Sequence, residues 1–148
     1  MKLNKASANI EKDFNRDFLY KLQEMSKKFP DVHIVSGDPL YNLLKIKDIG
    51  APGSSLFSGC SAGITSLSIW PNGVTTPCTR LPVHLGNIYI DGLTNIWLNS
   101  DTLRKLRARD NSNICGNCKF NYVCGGCRAS AYMFTNNMFS YDPMCFLM

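Results

Sequence analysis

Apolar residues recur at helical spacing near the start of the chain: Ile10, Phe14, Phe18, Leu22, Met25 and Phe29. Steps of three and four residues place these side chains on one helix face, with Lys12, Arg16, Lys21, Lys27 and Lys28 largely on the other. Pro30 is a stop signal, so the spacing predicts an amphipathic helix over residues 10–29. The β-branched run Val32-His33-Ile34-Val35-Ser36, ended by Gly37-Asp38-Pro39, predicts a strand and a turn. Helix followed by strand is half of an α/β repeat, whose other strands this sequence does not supply.

The pattern changes after residues 50–59, which are small and turn-forming and read as a linker. Residues 65–70 alternate polar with apolar, Pro71-Asn72-Gly73 supplies a turn and Val74-Thr75-Thr76 returns, which predicts a β-hairpin. Residues 86–92 read as a short strand between glycines, and residues 93–98 as one or two helical turns. Ser100 or Asp101 caps a further helix with Leu103 and Leu106 inward and Arg104, Lys105, Arg107 and Arg109 outward. The fold class expected is α+β: a small domain over residues 50–148 with a hairpin and short helices, preceded over residues 1–49 by a helix and strand from an incomplete α/β barrel.

Composition narrows the function classes. The chain has 148 residues, 45% hydrophobic and 18% charged, which suits a folded globular domain. No apolar run approaches the roughly 18 residues of a membrane span, so no membrane association is expected. The net charge is +5, but it falls to roughly +2 if the thiols ligate two iron-sulfur cubanes, so basicity is not read as a nucleic-acid signal. The basic run 104–109 lacks interleaved aromatic residues and reads as a solvated helix face.

The seven cysteines are the chemical signal. Their odd number leaves a thiol over in any full disulfide scheme, and residues 1–29 lack the apolar stretch of a signal peptide, which favours a reducing cytoplasm. Cys115-x2-Cys118-x5-Cys124-Gly-Gly-Cys127 crowds four thiols together, and Gly116, Gly125 and Gly126 let the backbone turn and offer N–H groups to sulfur. Cys60-x12-Gly73-x4-Cys78 brackets the hairpin, and Cys145 follows near the end. Zinc could take paired Cys-x2-Cys knuckles, but the five-residue spacer is shorter than the roughly 15 to 20 of common ribbons, and three thiols would be left idle. Two cubanes would divide seven thiolates as four plus three.

Beyond spacing, Cys60-Ser-Ala-Gly63, Ile69-Trp70-Pro71-Asn72-Gly73-x4-Cys78, Leu81-Pro82, Gly86-Asn87-Ile88, Ile96-Trp97, Cys115-x2-Cys118-x5-Cys124-Gly-Gly-Cys127-Arg128 and Asp142-Pro143-x-Cys145 resemble the SPASM domain, the C-terminal auxiliary-cluster module of radical SAM enzymes. Residues 10–39 resemble the end of the radical SAM barrel. The resemblance implies two auxiliary 4Fe-4S clusters, with Cys60, Cys78 and Cys127 holding the first and Cys115, Cys118, Cys124 and Cys145 the second. It implies electron transfer and substrate anchoring in an enzyme that matures peptides, proteins or cofactors, with zinc able to replace iron in aerobic preparations. The partners it implies are a radical SAM barrel, as a separate chain or the remainder of the enzyme, and a peptide or protein substrate. The SAM-cleaving Cys-x3-Cys-x2-Cys motif is absent from the sequence, so this chain alone is expected to be inactive, with no catalytic side chain of its own. The alternative is a zinc-stabilised interaction module.

His33 and His84 read as packing or surface residues rather than ligands. Trp70, Trp97 and Tyr132 read as core aromatics that shield clusters from water. Arg128 either pairs with cluster charge or caps a helix.

Overall fold

The computed structural model describes residues 5–44, 59–109 and 113–148. The first element, α1 (Lys5–Lys28), contains most of the predicted helix, ends before Pro30, and has Lys27 and Lys28 in its last turn, where positive charge complements the helix dipole. Of the apolar stripe, Leu22 packs on the core beside Leu19, and most of the rest does not. Leu19 is buried, whereas Phe14, Phe18, Met25 and Phe29 are all exposed, Phe14 at 73%. Asn15 and Gln23 flank Leu19 at the spacing of one face, donating to the Asp38 carboxylate at 3.1 Å and the Leu44 carbonyl at 2.7 Å. These bonds seat α1 on the turn and short helix α2 (Tyr41–Leu44).

The predicted strand at residues 32–36 does not form. The segment is irregular, with Val32 and Val35 exposed. No described strand lies beside it to take its backbone N–H and C=O groups, and β-branched residues make a strand only when the ladder is paired. The incomplete-barrel expectation therefore has no support in this segment. The domain boundary near residue 50 lies outside the described residues.

The hairpin forms as β1 (Ser68–Ile69) and β2 (Val74–Thr76), shorter than the alternation suggested. Ser68 pairs Thr76 and Ile69 pairs Thr75, and β3 (Gly86–Asn87) adds antiparallel to β2 with Val74 opposite Asn87. The predicted strand over residues 86–92 stops after two residues because Asn87 becomes a helix cap. Its side chain accepts the Tyr89 N–H at 2.9 Å, while the Asp91 carboxylate takes the Asn87 N–H at 2.7 Å, turning the chain into α3 (Ile88–Asp91).

α4 (Leu93–Asn99) and α5 (Asp101–Arg107) follow, the latter capped by Ser100, whose hydroxyl accepts from the Leu103 N–H. Ile96, Leu103 and Leu106 form a buried cluster with Leu67, Leu85, Ile88, Trp97, Met138 and Phe139 around them. After α6 (Asn113–Gly116), α7 (Arg128–Thr135) begins directly at the last cysteine of the knuckle. A second core joins Leu19, Leu40 and Tyr41 to Cys124 and Met144, so the N-terminal elements pack on the cysteine-rich segment. No helix among the described residues is long and apolar enough to cross a membrane.

Leu103 is fully buried, so Leu103→Ala removes packing and leaves a cavity. The expected cost is about 2–5 kcal/mol, measured by equilibrium urea unfolding at matched metal content.

Candidate metal centres

Four of the seven thiols line one pocket. Cys115, Cys118, Cys124 and Cys145 surround it, with Leu40, Leu43, Phe120 and Leu147 as apolar wall. The backbone between them is a chain of tight turns: the N–H groups of Cys118, Asn121 and Cys124 bond the carbonyls of Cys115, Cys118 and Phe120 at 3.3, 2.9 and 2.8 Å. Sulfur receives backbone donors there, Phe120 N–H to Cys118 at 3.4 Å and Gly126 N–H to Cys124 at 3.3 Å. Such bonds stabilise a thiolate or a cluster sulfur. Phe120, Leu40 and Leu147 come from three separate stretches of chain, which makes the wall a product of the fold rather than of the motif.

Cys60, Cys78 and Cys127 line a second pocket, with Ser36, Asp38, Asn42, Ser61 and Arg80 among its walls. Arg80 reaches the Cys127 sulfur at 3.9 Å, and Cys78 and Cys127 pack against buried Leu81 and Ala129. Thiols that lie far apart in sequence are thus brought together three and four at a time.

The two pockets share a wall. The Cys60 N–H bonds the Cys124 carbonyl at 3.1 Å, so a cysteine lining the second pocket is tied to one lining the first. A Cβ on Gly59 would sit 2.5 Å from that same carbonyl, which only glycine avoids. Gly125 and Gly126 take consecutive left-handed conformations, with φ of 68° and 66°. This turns Cys124 into one pocket and Cys127 into the other across two residues. Asp142 is fully buried behind them. Its carboxylate accepts the Cys127 N–H at 2.7 Å and the Met144 N–H at 3.0 Å.

Two arginines complete this wall, and their placement corrects or extends the sequence reading. Arg128 is buried and donates to the carbonyls of Gly126, Met138 and Ser140 at 3.2, 2.9 and 2.8 Å, and it lies 3.9 Å from the Cys115 sulfur. It does not cap α7, whose N-cap residue is Cys127 without a side-chain cap bond; it gathers carbonyls beside the thiols instead. Arg109 was expected on a solvated face but is buried at 9% exposure, donating to the Asn121 carbonyl at 3.2 Å. Burial pulls its pKa down while the neighbouring Cys60 and Cys124 thiolates would pull it up. Arg107 also leaves the solvated face, stacking on Trp97 at 4.1 Å. Arg104, paired with Asp101, and Lys105 keep the expected exposed character.

Neither histidine lines a thiol pocket: His33 is exposed, and His84 lines a surface groove with Trp70, Pro71 and Pro82. Trp70 is exposed on the hairpin, its indole N–H donating to Thr76 at 3.3 Å, which overturns its role as a shield. Trp97 is half-buried in the Ile96 core, away from both pockets, whereas Tyr132 packs with Cys78 and Cys127. Sequence reasoning assigned no role to Asp142, Arg109 or Asn121, and the only signal available was the Asp-Pro-x-Cys pattern around Asp142.

The fold and these pockets define a small cysteine-rich α+β domain. Residues 60–119 match the SPASM domain, described as an iron-sulfur cluster-binding domain. The matched stretch includes Cys60, Cys78, Cys115 and Cys118; Cys124, Cys127 and Cys145 follow it. The chain is also similar to proteins named AdoMet-dependent heme synthase. The one from Methanosarcina barkeri is 36% identical over 92 residues, 62% of this chain and 26% of that protein. Those from Nitratidesulfovibrio vulgaris and Oleidesulfovibrio alaskensis are 33% and 32% identical over 88 residues, 59% of this chain and 24% and 23% of theirs. The chain thus spans about a quarter of the length of these curated relatives. No solved structure matches it.

Burial pushes the Cys124 thiol from an ordinary 9.0 up to about 12, against the opposing Gly126 N–H, and raises Cys127 and Cys145 as well. The metal-free fold therefore prefers these thiols protonated. The stability that Cys124 contributes is present below pH 9 and is lost as pH rises through about 12. The metal-free protein should show a falling Tm over that window, and Cys124→Ser should flatten part of the fall. Metal loading has the opposite sign, since each ligating thiol releases its proton. In a separate measurement, Asp142→Ala should leave the Cys127 and Met144 N–H groups without their partner, costing about 1–3 kcal/mol each in urea unfolding.

Proposed function

We propose that this chain is the auxiliary-cluster module of an AdoMet-dependent radical enzyme, seating two 4Fe-4S clusters that relay electrons. Cys115, Cys118, Cys124 and Cys145 hold one, and Cys60, Cys78 and Cys127 hold three irons of the other. The observation that carries the reading is the sorting of seven thiols into two pockets, four lining one and three the other. The donors fit the group: thiolates are the normal ligands of such clusters, and N–H groups aimed at sulfur tune their potential.

A single zinc ion fits less well. Zinc draws its sulfurs to about 2.3 Å from one point, and among the described residues no three His, Cys, Asp or Glu side chains lie close enough to grip one ion. A cubane spreads its ligands over four separate irons, which suits the wider arrangement.

The rest of the enzyme is the partner. Phe14, Phe18 and Met25 form an exposed apolar stripe on α1, continued by Phe29 just past its end, and the relatives are about four times the length of the matched stretch; both support a larger protein surface covering that helix. The relatives' name favours cofactor chemistry of the heme-synthase kind over a peptide substrate. The chain holds no Cys-x3-Cys-x2-Cys motif, so its own residues bind and insulate clusters and do not cleave AdoMet. Seven thiols and oxygen-labile clusters favour a reducing compartment such as the cytoplasm.

Anaerobic reconstitution should yield about eight irons and eight sulfides per chain, with absorbance near 400 nm, and the loaded chain should form no 5'-deoxyadenosine from AdoMet. Stoichiometric zinc without iron, under the same anaerobic conditions, would sink the proposal.

A further inference from the structure

Three thiolates leave one iron of the second cubane without a ligand. Residues 45–58, upstream of Cys60, contain no cysteine. The geometry points to Asp38 as the missing ligand: it is the acidic residue among those lining the pocket that Cys60, Cys78 and Cys127 line. This assignment rests on the two-cluster reading above.

Asp38 is held as ligating carboxylates commonly are, by hydrogen bonds from behind. Asn15 of α1 donates to one oxygen at 3.1 Å, and the Leu40 N–H donates to the other at 2.9 Å. The Asp38 N–H is itself tied to the Ser36 hydroxyl at 3.1 Å, and its carbonyl accepts the Tyr41 N–H at 3.0 Å. A carboxylate has about four lone-pair positions, so these two donors leave room for a metal bond. The competing walls are weaker donors. The Ser61 hydroxyl is engaged with Ser66 at 3.0 Å, the Ser36 hydroxyl already accepts from Asp38, Asn42 is neutral, and Arg80 carries positive charge. Carboxylate oxygen is an accepted ligand of iron, harder than thiolate. An oxygen at that position makes one iron chemically distinct from the other three and gives the cluster a ligand more readily exchanged than cysteine.

The role of α1 then becomes specific. By orienting Asp38 through Asn15, the helix delivers a ligand from the N-terminal segment to a cluster otherwise held by the C-terminal domain. That couples the seating of α1 to the completeness of the cluster.

The test uses the whole chain, anaerobically reconstituted, in four forms: wild type, Cys60→Ala, Asp38→Asn and Asp38→Cys. Asparagine retains the turn-capping oxygen but lacks the anionic charge, and cysteine offers a thiolate. Mössbauer spectroscopy of the wild type should show one oxygen-ligated iron in the cluster that Cys60→Ala removes. Asp38→Asn should shift the EPR signal of that cluster alone and make it take up added 2-mercaptoethanol more tightly than wild type. Asp38→Cys should abolish the thiol response and lower that cluster's midpoint potential. Sulfur ligation of all four irons in the wild type would overturn the assignment, as would an unchanged spectrum and thiol affinity in Asp38→Asn. If Cys60→Ala instead leaves iron content unchanged, the two-cluster reading itself fails, and the Asp38 assignment falls with it.

Discussion

The arrangement depends on a carboxylate that water never reaches. Asp142 accepts the amide of Cys127 on one side and that of Met144, next to Cys145, on the other, thereby tying a stretch of each thiol pocket to a single buried group. Burial raises its pKa against the opposing pull of those two amides and Arg128. A buried anion of this kind is tolerated only when its oxygens are occupied. Arg128, gathering three carbonyls around the same turn, supplies the compensating charge. The ordinary hydrophobic cores lie to either side of this polar centre, one under α1 and one under α4 and α5.

Much of this domain is irregular, and that follows from what it must position. Strands of two and three residues and helices of four bury little apolar surface, so side-chain caps and carbonyl-gathering arginines carry unusual weight. Asn87 ends a strand, Ser100 starts a helix, and Asn121 ties Gly116 to Arg109. Metal–thiolate bonds, where formed, add cross-links between segments that such packing alone holds weakly.

What could be read from the chain divides along the range of the interactions. The existence of α1, the hairpin, and the Ser100-capped helix were legible because period, turn residues and caps are local. The packed side of α1 was not, because Leu19 is selected by Asn15 and Gln23 meeting Asp38 and Leu44, more than twenty residues away in sequence. The strand at residues 32–36 failed for want of a neighbour. The seven cysteines announced metal chemistry by spacing. Arg109 looked like one more solvated base, since nothing local shows that its guanidinium is drawn under the Cys124 turn.

The two-glycine link between Cys124 and Cys127 has an electrical consequence. Charged centres seated in the two pockets would be neighbours across one shared wall that excludes solvent, so water would not screen them fully. An electron placed on either would raise the cost of placing another on its neighbour, so the pair would fill in two separated steps belonging to both centres jointly, as interacting protons do. The spacing that only glycine permits would thus make the domain an electron store that holds its first charge more firmly than its second.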